Sequence, residues 1–313
     1  MRAAAGRGWP LPDACRARPE LAGLPWRLRT TAHPARRFEV ALISCLAVHR
    51  APAQEDPLAQ TEHERRIVEQ FTRQAIPFSE VPAHSNAAAL QLMLRQSRAG
   101  PDDAVLDAGC GPGIVACAFA PYVRHVTGTD VTPAMVERAR ATAQRAGIGN
   151  VDFREGDMGR QPFPDGCFSL VLTRYTFHHL LDPAAALDEM VRVCAPGGGL
   201  MVVDAAVEPP FAAAYDEAER IRDPSHVHVL PPSEFPRLLA RAGLREVETS
   251  LYKLEIPLEQ QLAASFPDPG GEERLRRIFE EDVAANRLGV GAHRRDGGIH
   301  YFVPCVVASA RKA

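Results

Sequence analysis

Val105-Leu106-Asp107-Ala108-Gly109-Cys110-Gly111-Pro112-Gly113 decides how the rest of this chain reads. A short apolar run, Ala104-Val105-Leu106, ends in an acid, and a glycine-dense loop then opens a helix over Ile114 to Ala120. Glycines let a backbone turn sharply and lie close to a ligand. The first turn of the helix beyond offers N–H groups with no intrahelical partner. Doubly wound sheets bind their ligands at this end of the strands. The spacing is Gly-x-Gly-x-Gly, whereas a dinucleotide loop is usually Gly-x-Gly-x-x-Gly. The carboxylate of Asp107, two residues before the first glycine, would also repel a diphosphate.

Outward from this loop the chain alternates strand and helix signals, the mark of an α/β fold with a mostly parallel sheet. Val123 to Thr129 predicts a second strand, and Pro133 to Ala146 an amphipathic helix closed by Gly147. Val151 to Phe153 and Phe168 to Leu172 predict strands three and four. A helix over Pro183 to Cys194 stops at Pro196 and three glycines, and Leu200 to Val203 predicts strand five. Toward the C-terminus, Ser233 is placed to cap a helix reaching Ala242. Leu244 to Leu254 and Tyr301 to Ala308 are strand-like, with a helix over Glu272 to Asn286 between them. Upstream, Thr61 to Ala75 and Asn86 to Arg98 carry apolar residues at helical spacing.

Further motifs stand in order with the loop: Gly128-Thr129-Asp130, Gly156-Asp157-Met158, Phe163-Pro164-Asp165-Gly166, Thr173-Arg174-Tyr175 and Arg192-Val193-Cys194-Ala195-Pro196-Gly197-Gly198-Gly199. With them the sequence resembles the class I S-adenosylmethionine-dependent methyltransferases. It looks closest to their small-molecule branch of ubiquinone/menaquinone methyltransferase-like, type 11 domains. The resemblance runs over about residues 57–255 and is densest over 104–204. It implies a Rossmann-like doubly wound, seven-stranded, mostly parallel sheet with the last strand antiparallel, plus a helical lid. It implies S-adenosyl-L-methionine as cofactor, whose sulfonium and amino-acid tail tolerate Asp107. It implies cofactor contacts from Asp107, Gly109, Cys110, Gly111 and Gly113, and ribose hydroxyls on Asp130 with Val131 beside it. It implies the adenine amino group on Asp157, Met158 near the ring, and Thr173 and Tyr175 close to the methyl group. Leu and a basic residue usually stand where this chain has Cys194 and Ala195.

The acceptor is less legible. An oxygen nucleophile benefits from a base, and histidine suits neutral pH. His178 and His179, with Tyr175, are the catalytic candidates. His226 and His228 lie in a segment where the family often builds acceptor-binding structure, and in an extended backbone they would point the same way. Phe71, Gln74, Phe78 and His84 resemble a lid segment that excludes water and positions the acceptor. No Asp/Asn-Pro-Pro-aromatic run follows strand four, so exocyclic amines of DNA bases are disfavoured. A hydrophobic, aromatic or lipid-like metabolite is the expected acceptor, methylated on O, C or N by in-line displacement. The competing readings are an NAD(P)-dependent Rossmann oxidoreductase, a non-catalytic S-adenosylmethionine-binding protein and a relative that transfers an aminopropyl group.

Bulk properties bound these readings. The chain has 313 residues, 46% hydrophobic and 24% charged, with a formal net charge of -3. That gives no global case for nucleic-acid binding. Residues 1–55 differ from the rest, with nine Arg against four acids. They are expected to be a disordered or misassigned extension. Arg36-Arg37 before Val40 to Val48, and Leu42-Ile43-Ser44-Cys45, resemble export signals, but the apolar run is short and lies deep in the chain. No stretch reaches the roughly 18 apolar residues that span a bilayer. Seven scattered cysteines show no zinc spacing, so free thiols, no metal and a cytoplasmic protein are expected. The expected organisation is a helical lid over 56–100, a cofactor-binding core over 101–208, and an acceptor-lid insertion with the closing strands of the same domain over 209–313.

Overall fold

The structure, a computed structural model, describes residues 62–313. The expectations for residues 1–55 therefore lie outside the described residues. Seven strands run in the order β3-β2-β1-β4-β5-β8-β6. They are β1 (Ala104–Ala108), β2 (His125–Asp130), β3 (Val151–Glu155), β4 (Phe168–Arg174), β5 (Cys194–Ala205), β6 (Arg245–Pro257) and β8 (Gly298–Arg311). The first five are mutually parallel, and β8 inserts between β5 and β6, antiparallel to both. The short β7 (His293–Arg295) was not expected, and raises the strand count to eight. It is a hairpin arm on the lower end of β8, pairing His293 with His300 beyond the last residue that β5 reaches.

The helices are α1 (Glu62–Glu80), α2 (Ala87–Ser97), α3 (Ile114–Phe119), α4 (Pro133–Ala146), α5 (Pro183–Val193), α6 (Pro209–Arg222), α7 (Glu234–Arg241), α8 (Leu258–Ala263) and α9 (Gly271–Ala285). Local chemistry sets several ends. Asn86 accepts the Ala89 N–H at 3.0 Å and Asp182 the Ala185 N–H at 3.0 Å, each relieving an orphan donor of a first turn. Gly147 closes α4 in a left-handed conformation. Ser233 makes no side-chain cap on α7, which starts without one.

Residues of α2, α3 and α4 pack on one face of the sheet, and those of α5 and α7 on the other. A third core gathers α6, α8, α9 and the lower halves of β6 and β8. Because β8 is covered on both sides, its apolar run does not alternate with polar residues: Val306 and Ala308 face one core and Val307 the other. All the parallel strands end at one edge, and α1 lies across it.

Candidate active site

The loop after β1 folds back onto β2. The N–H groups of Gly109 and Cys110 both donate to the Thr129 carbonyl, at 2.8 and 2.9 Å. Gly109, Gly111 and Gly113 all have positive φ, which only glycine adopts freely. A Cβ on Gly109 would meet Thr176 Oγ1 at 2.7 Å, so this turn seats directly against the end of β4. A Cβ on Gly111 would meet nothing within 4 Å, because that backbone faces open space.

That space is a cavity of about 260 Å³ along the strand ends. Of the residues expected to contact the cofactor, Asp107, Gly109, Cys110, Gly111, Asp130, Val131, Asp157 and Met158 line it. Gly113 and Thr173 do not. Gly113 abuts Ala139 of α4, and the fully buried Thr173 hydroxyl donates to Thr176 Oγ1 at 3.1 Å. The residues after β4 that do reach the cavity are Arg174, Tyr175 and Thr176. Arg174 stands in the motif after β4 but is given no role there, and Thr176 carries no signal in the sequence beyond its place after an apolar strand.

Asp107 is buried, and one of its oxygens accepts the Ala116 N–H in the first turn of α3 at 3.0 Å. Burial pushes its carboxyl up to about 7, against the pull of Arg174 and of the Ala116 N–H. Asp130 accepts the Gly111 N–H at 2.8 Å on one oxygen and the Thr132 N–H at 2.9 Å on the other. It thus stitches the glycine loop to the end of β2, and burial raises its pKa. Each oxygen keeps a further lone pair. Asp157 is exposed at the rim, while Met158 is buried.

Helix α1 roofs the cavity with Ile67, Phe71 and Phe78. Phe71 meets the His179 ring edge-on at 5.0 Å, and Phe78 stacks on His84 at 3.9 Å. The roof is tied down by the His63 Nε2–H on the His179 carbonyl at 2.7 Å and the Arg174 Nη2–H on the His84 carbonyl at 2.9 Å.

The three catalytic candidates separate. Tyr175 adopts φ 59°, strained for a tyrosine, beneath the Arg174 guanidinium. Its hydroxyl is 2.8 Å from that of Tyr252, and burial drives its pKa well above the ordinary range, so it holds its proton. His179 is buried, and burial together with the neighbouring His178 drives its pKa well down. His178 differs. Its Nδ1 lies 2.5 Å from Asp204 Oδ1, and its backbone N–H donates to Asp204 Oδ2 at 3.1 Å. Burial opposes its protonation, but the Asp204 carboxylate outweighs this and raises its pKa. Nε2 has no partner among the described residues. Asp204 was missed in the sequence, yet its signal was there: it falls near the end of a parallel strand, as Asp107 and Asp130 do.

His226 and His228 do converge, but on protein. They contact the two oxygens of Asp216 at 2.7 and 2.5 Å and tie α6 to the following loop. Neither lines the cavity, and the segment is not a strand. Among the described residues no group of three or more His, Cys, Asp or Glu could hold a metal ion. No described helix is long and apolar enough to cross a membrane.

Comparison with known proteins agrees with this fold. Residues 106–202 match the methyltransferase domain family. The chain is 33% identical over 188 residues to the uncharacterized methyltransferase YcgJ of Bacillus subtilis, covering 59% of this chain and 74% of YcgJ. The YcgJ crystal structure superposes with a TM-score of 0.65 at 28% identity, over 73% of this chain and 98% of that one. YafE of Escherichia coli is 32% identical over 199 residues, 62% of this chain and 93% of YafE. The 27-O-demethylrifamycin SV methyltransferase of Amycolatopsis mediterranei is 35% identical over 151 residues, 47% of this chain and 55% of that protein.

Proposed function

The chain belongs to the S-adenosylmethionine-dependent methyltransferases, and from that premise we propose that it methylates a hydroxyl oxygen of a small molecule, with His178 as the base. The enzyme uses S-adenosylmethionine, and the cavity fits it. The open space over Gly111 lets backbone approach a ligand closely, and Asp130 retains lone pairs for two ribose hydroxyls. Three carboxylates, Asp107, Asp130 and Asp157, favour a cationic ligand and oppose the diphosphate of NAD(P). Asp107 is placed to take the cationic amino group of the methionine tail, Asp157 the adenine amino group, and Met158 the ring.

When bound, the cofactor supplies a methyl group on a sulfonium sulfur, which keeps the C–S electron pair as the methyl leaves. The family resemblance puts the end of β4 opposite that methyl group. The protein's part is to hold the two reactants in line and keep water out, and α1 roofs the site for this. The acceptor O–H bond breaks with its proton passing to His178 Nε2, and the oxygen lone pair forms the new O–CH3 bond. Asp204 fixes the His178 tautomer and stabilises the imidazolium that results.

The observation that carries this reading is the His178–Asp204 pair at the ends of β4 and β5. The 27-O-demethylrifamycin SV enzyme, by its name an O-methylating relative, supports an oxygen acceptor. The test incubates the enzyme with trideuteromethyl-S-adenosylmethionine and small-molecule pools from cells. Labelled O-methyl products made by the wild type and lost in His178→Asn support the reading. Labelled products that carry the methyl on carbon or nitrogen, or that His178→Asn makes equally fast, overturn it.

A further inference from the structure

Phe71, Phe78, Tyr175 and His179 line both the cofactor cavity and a second, adjoining cavity of about 70 Å³. That is about half the roughly 150 Å³ of a cavity that holds a benzene ring. It has room for a few heavy atoms rather than for a ring. His178, the proposed base, lines this second chamber and not the first.

The chamber's lining is mostly apolar, with a few polar groups set into it that lack protein partners. Gln261 is only 8% exposed, and its Oε1 has no hydrogen-bond partner. The buried Tyr215 and Tyr301 line the same space, and their hydroxyls make no hydrogen bond among the described residues. An unsatisfied buried polar atom such as Gln261 Oε1 is costly, and the two tyrosine hydroxyls are free to bond whatever enters the chamber. Charge, by contrast, is already matched. Arg222 holds Glu219 through Nε and Nη2 at 2.7 to 3.0 Å. Asp223 accepts from Gln74 Nε2 at 3.1 Å and from the N–H and hydroxyl of Ser225 at 2.9 and 2.5 Å. His178 faces Asp204. No ion here is left to attract a charged ligand.

We infer that this chamber receives the reacting end of the acceptor, and that this end is uncharged and carries a hydroxyl next to a carbonyl or second hydroxyl. The Tyr215 and Tyr301 hydroxyls and the Gln261 amide hydrogen-bond its oxygens, and His178 Nε2 takes the reacting proton. The inference rests on the methyl-transfer reading above.

Three five-heavy-atom probes separate the possibilities: hydroxyacetone, butanone, in which a methyl replaces the hydroxyl, and glycolate, an anion. Their contact with the full chain is read by saturation-transfer NMR with S-adenosylhomocysteine bound. Hydroxyacetone binds about fivefold better than either relative, the worth of one net hydrogen bond. Ala205→Leu, which fills the chamber, abolishes this preference while S-adenosylhomocysteine still binds. Gln261→Leu, which keeps the volume and removes the orphan amide, weakens it should the first variant fail to fold. Equal binding of butanone, preference for glycolate, a preference that survives in a folded Ala205→Leu, or one undiminished in Gln261→Leu overturns the inference. Failure of S-adenosylhomocysteine to bind the wild type at all overturns the methyltransferase reading instead.

Discussion

The Asp107 carboxylate, nine residues before Ala116, caps the first turn of α3 from inside the sheet and also lines the cofactor cavity. One side chain thus both fixes the start of α3 and faces the cofactor cavity. Its neighbours Arg174 and Asp130 pull its pKa in opposite directions, and burial leaves it at about 7.

Cofactor affinity should therefore depend on pH near neutrality. A bound ammonium favours the ionised carboxylate, so binding displaces a proton from the fraction of Asp107 that carries one. Affinity for S-adenosylmethionine rises as pH climbs through about 7 and levels above it, by at most about tenfold per pH unit. Calorimetry between about pH 6 and about pH 8 checks this, with proton release seen as a dependence on buffer ionisation enthalpy. Asp107→Asn should flatten the profile. An equally steep profile in that variant would assign the proton to another group.

Turnover should carry a second pH dependence, from His178. It faces Asp204 on β5, Glu219 and Arg222 on α6, His226 in the following loop and its neighbour His179. Its raised pKa means the neutral, proton-accepting form is lost as pH falls through a value above 6.5. The rate should rise with pH through that value. Asp204→Asn removes the main cause of the shift, so the rising limb moves to lower pH and the maximal rate falls. His178→Asn should cost about 10²- to 10⁴-fold in kcat, the range for a general base. Initial rates against pH for the three proteins decide it.

Stability should be sensitive at Gly128 and not at Gly149. A Cβ on Gly128 would lie 2.5 Å from Phe153 and 3.0 Å from Cys110 Sγ, within a packed core. Gly128→Ala should destabilise by about 1–3 kcal/mol through overpacking. Gly149 has nothing within 4 Å and no positive φ, so Gly149→Ala should stay within about 0.5 kcal/mol of the parent. Thermal unfolding of both variants tests the contrast.

Legibility in the sequence followed how local each constraint was. The glycine loop, the acids at Asp107, Asp130 and Asp157, and the parallel strands are written in short stretches, and the structure has them together. Gly113 and Thr173 were assigned to the ligand because motif position does not tell a cavity-facing residue from the one behind it. His226 and His228 looked free because their partner, Asp216, lies ten and twelve residues back on a helix whose facing no pattern reveals. The second chamber was invisible, since Gln261, Tyr301 and His178 meet only after β8 inserts between β5 and β6. Strand β7, three residues long, is too short to leave a period.

The central claim is that the cavity over Asp130 binds S-adenosylmethionine, and calorimetric titration of the wild type and Asp130→Ala tests it most directly, with NADH run in parallel. S-adenosylmethionine should bind and NADH should not. The variant should lose about 1–3 kcal/mol, the cost of leaving buried donors unpaired. Binding of NADH, or an Asp130→Ala variant that binds S-adenosylmethionine as tightly as the wild type, would contradict the account.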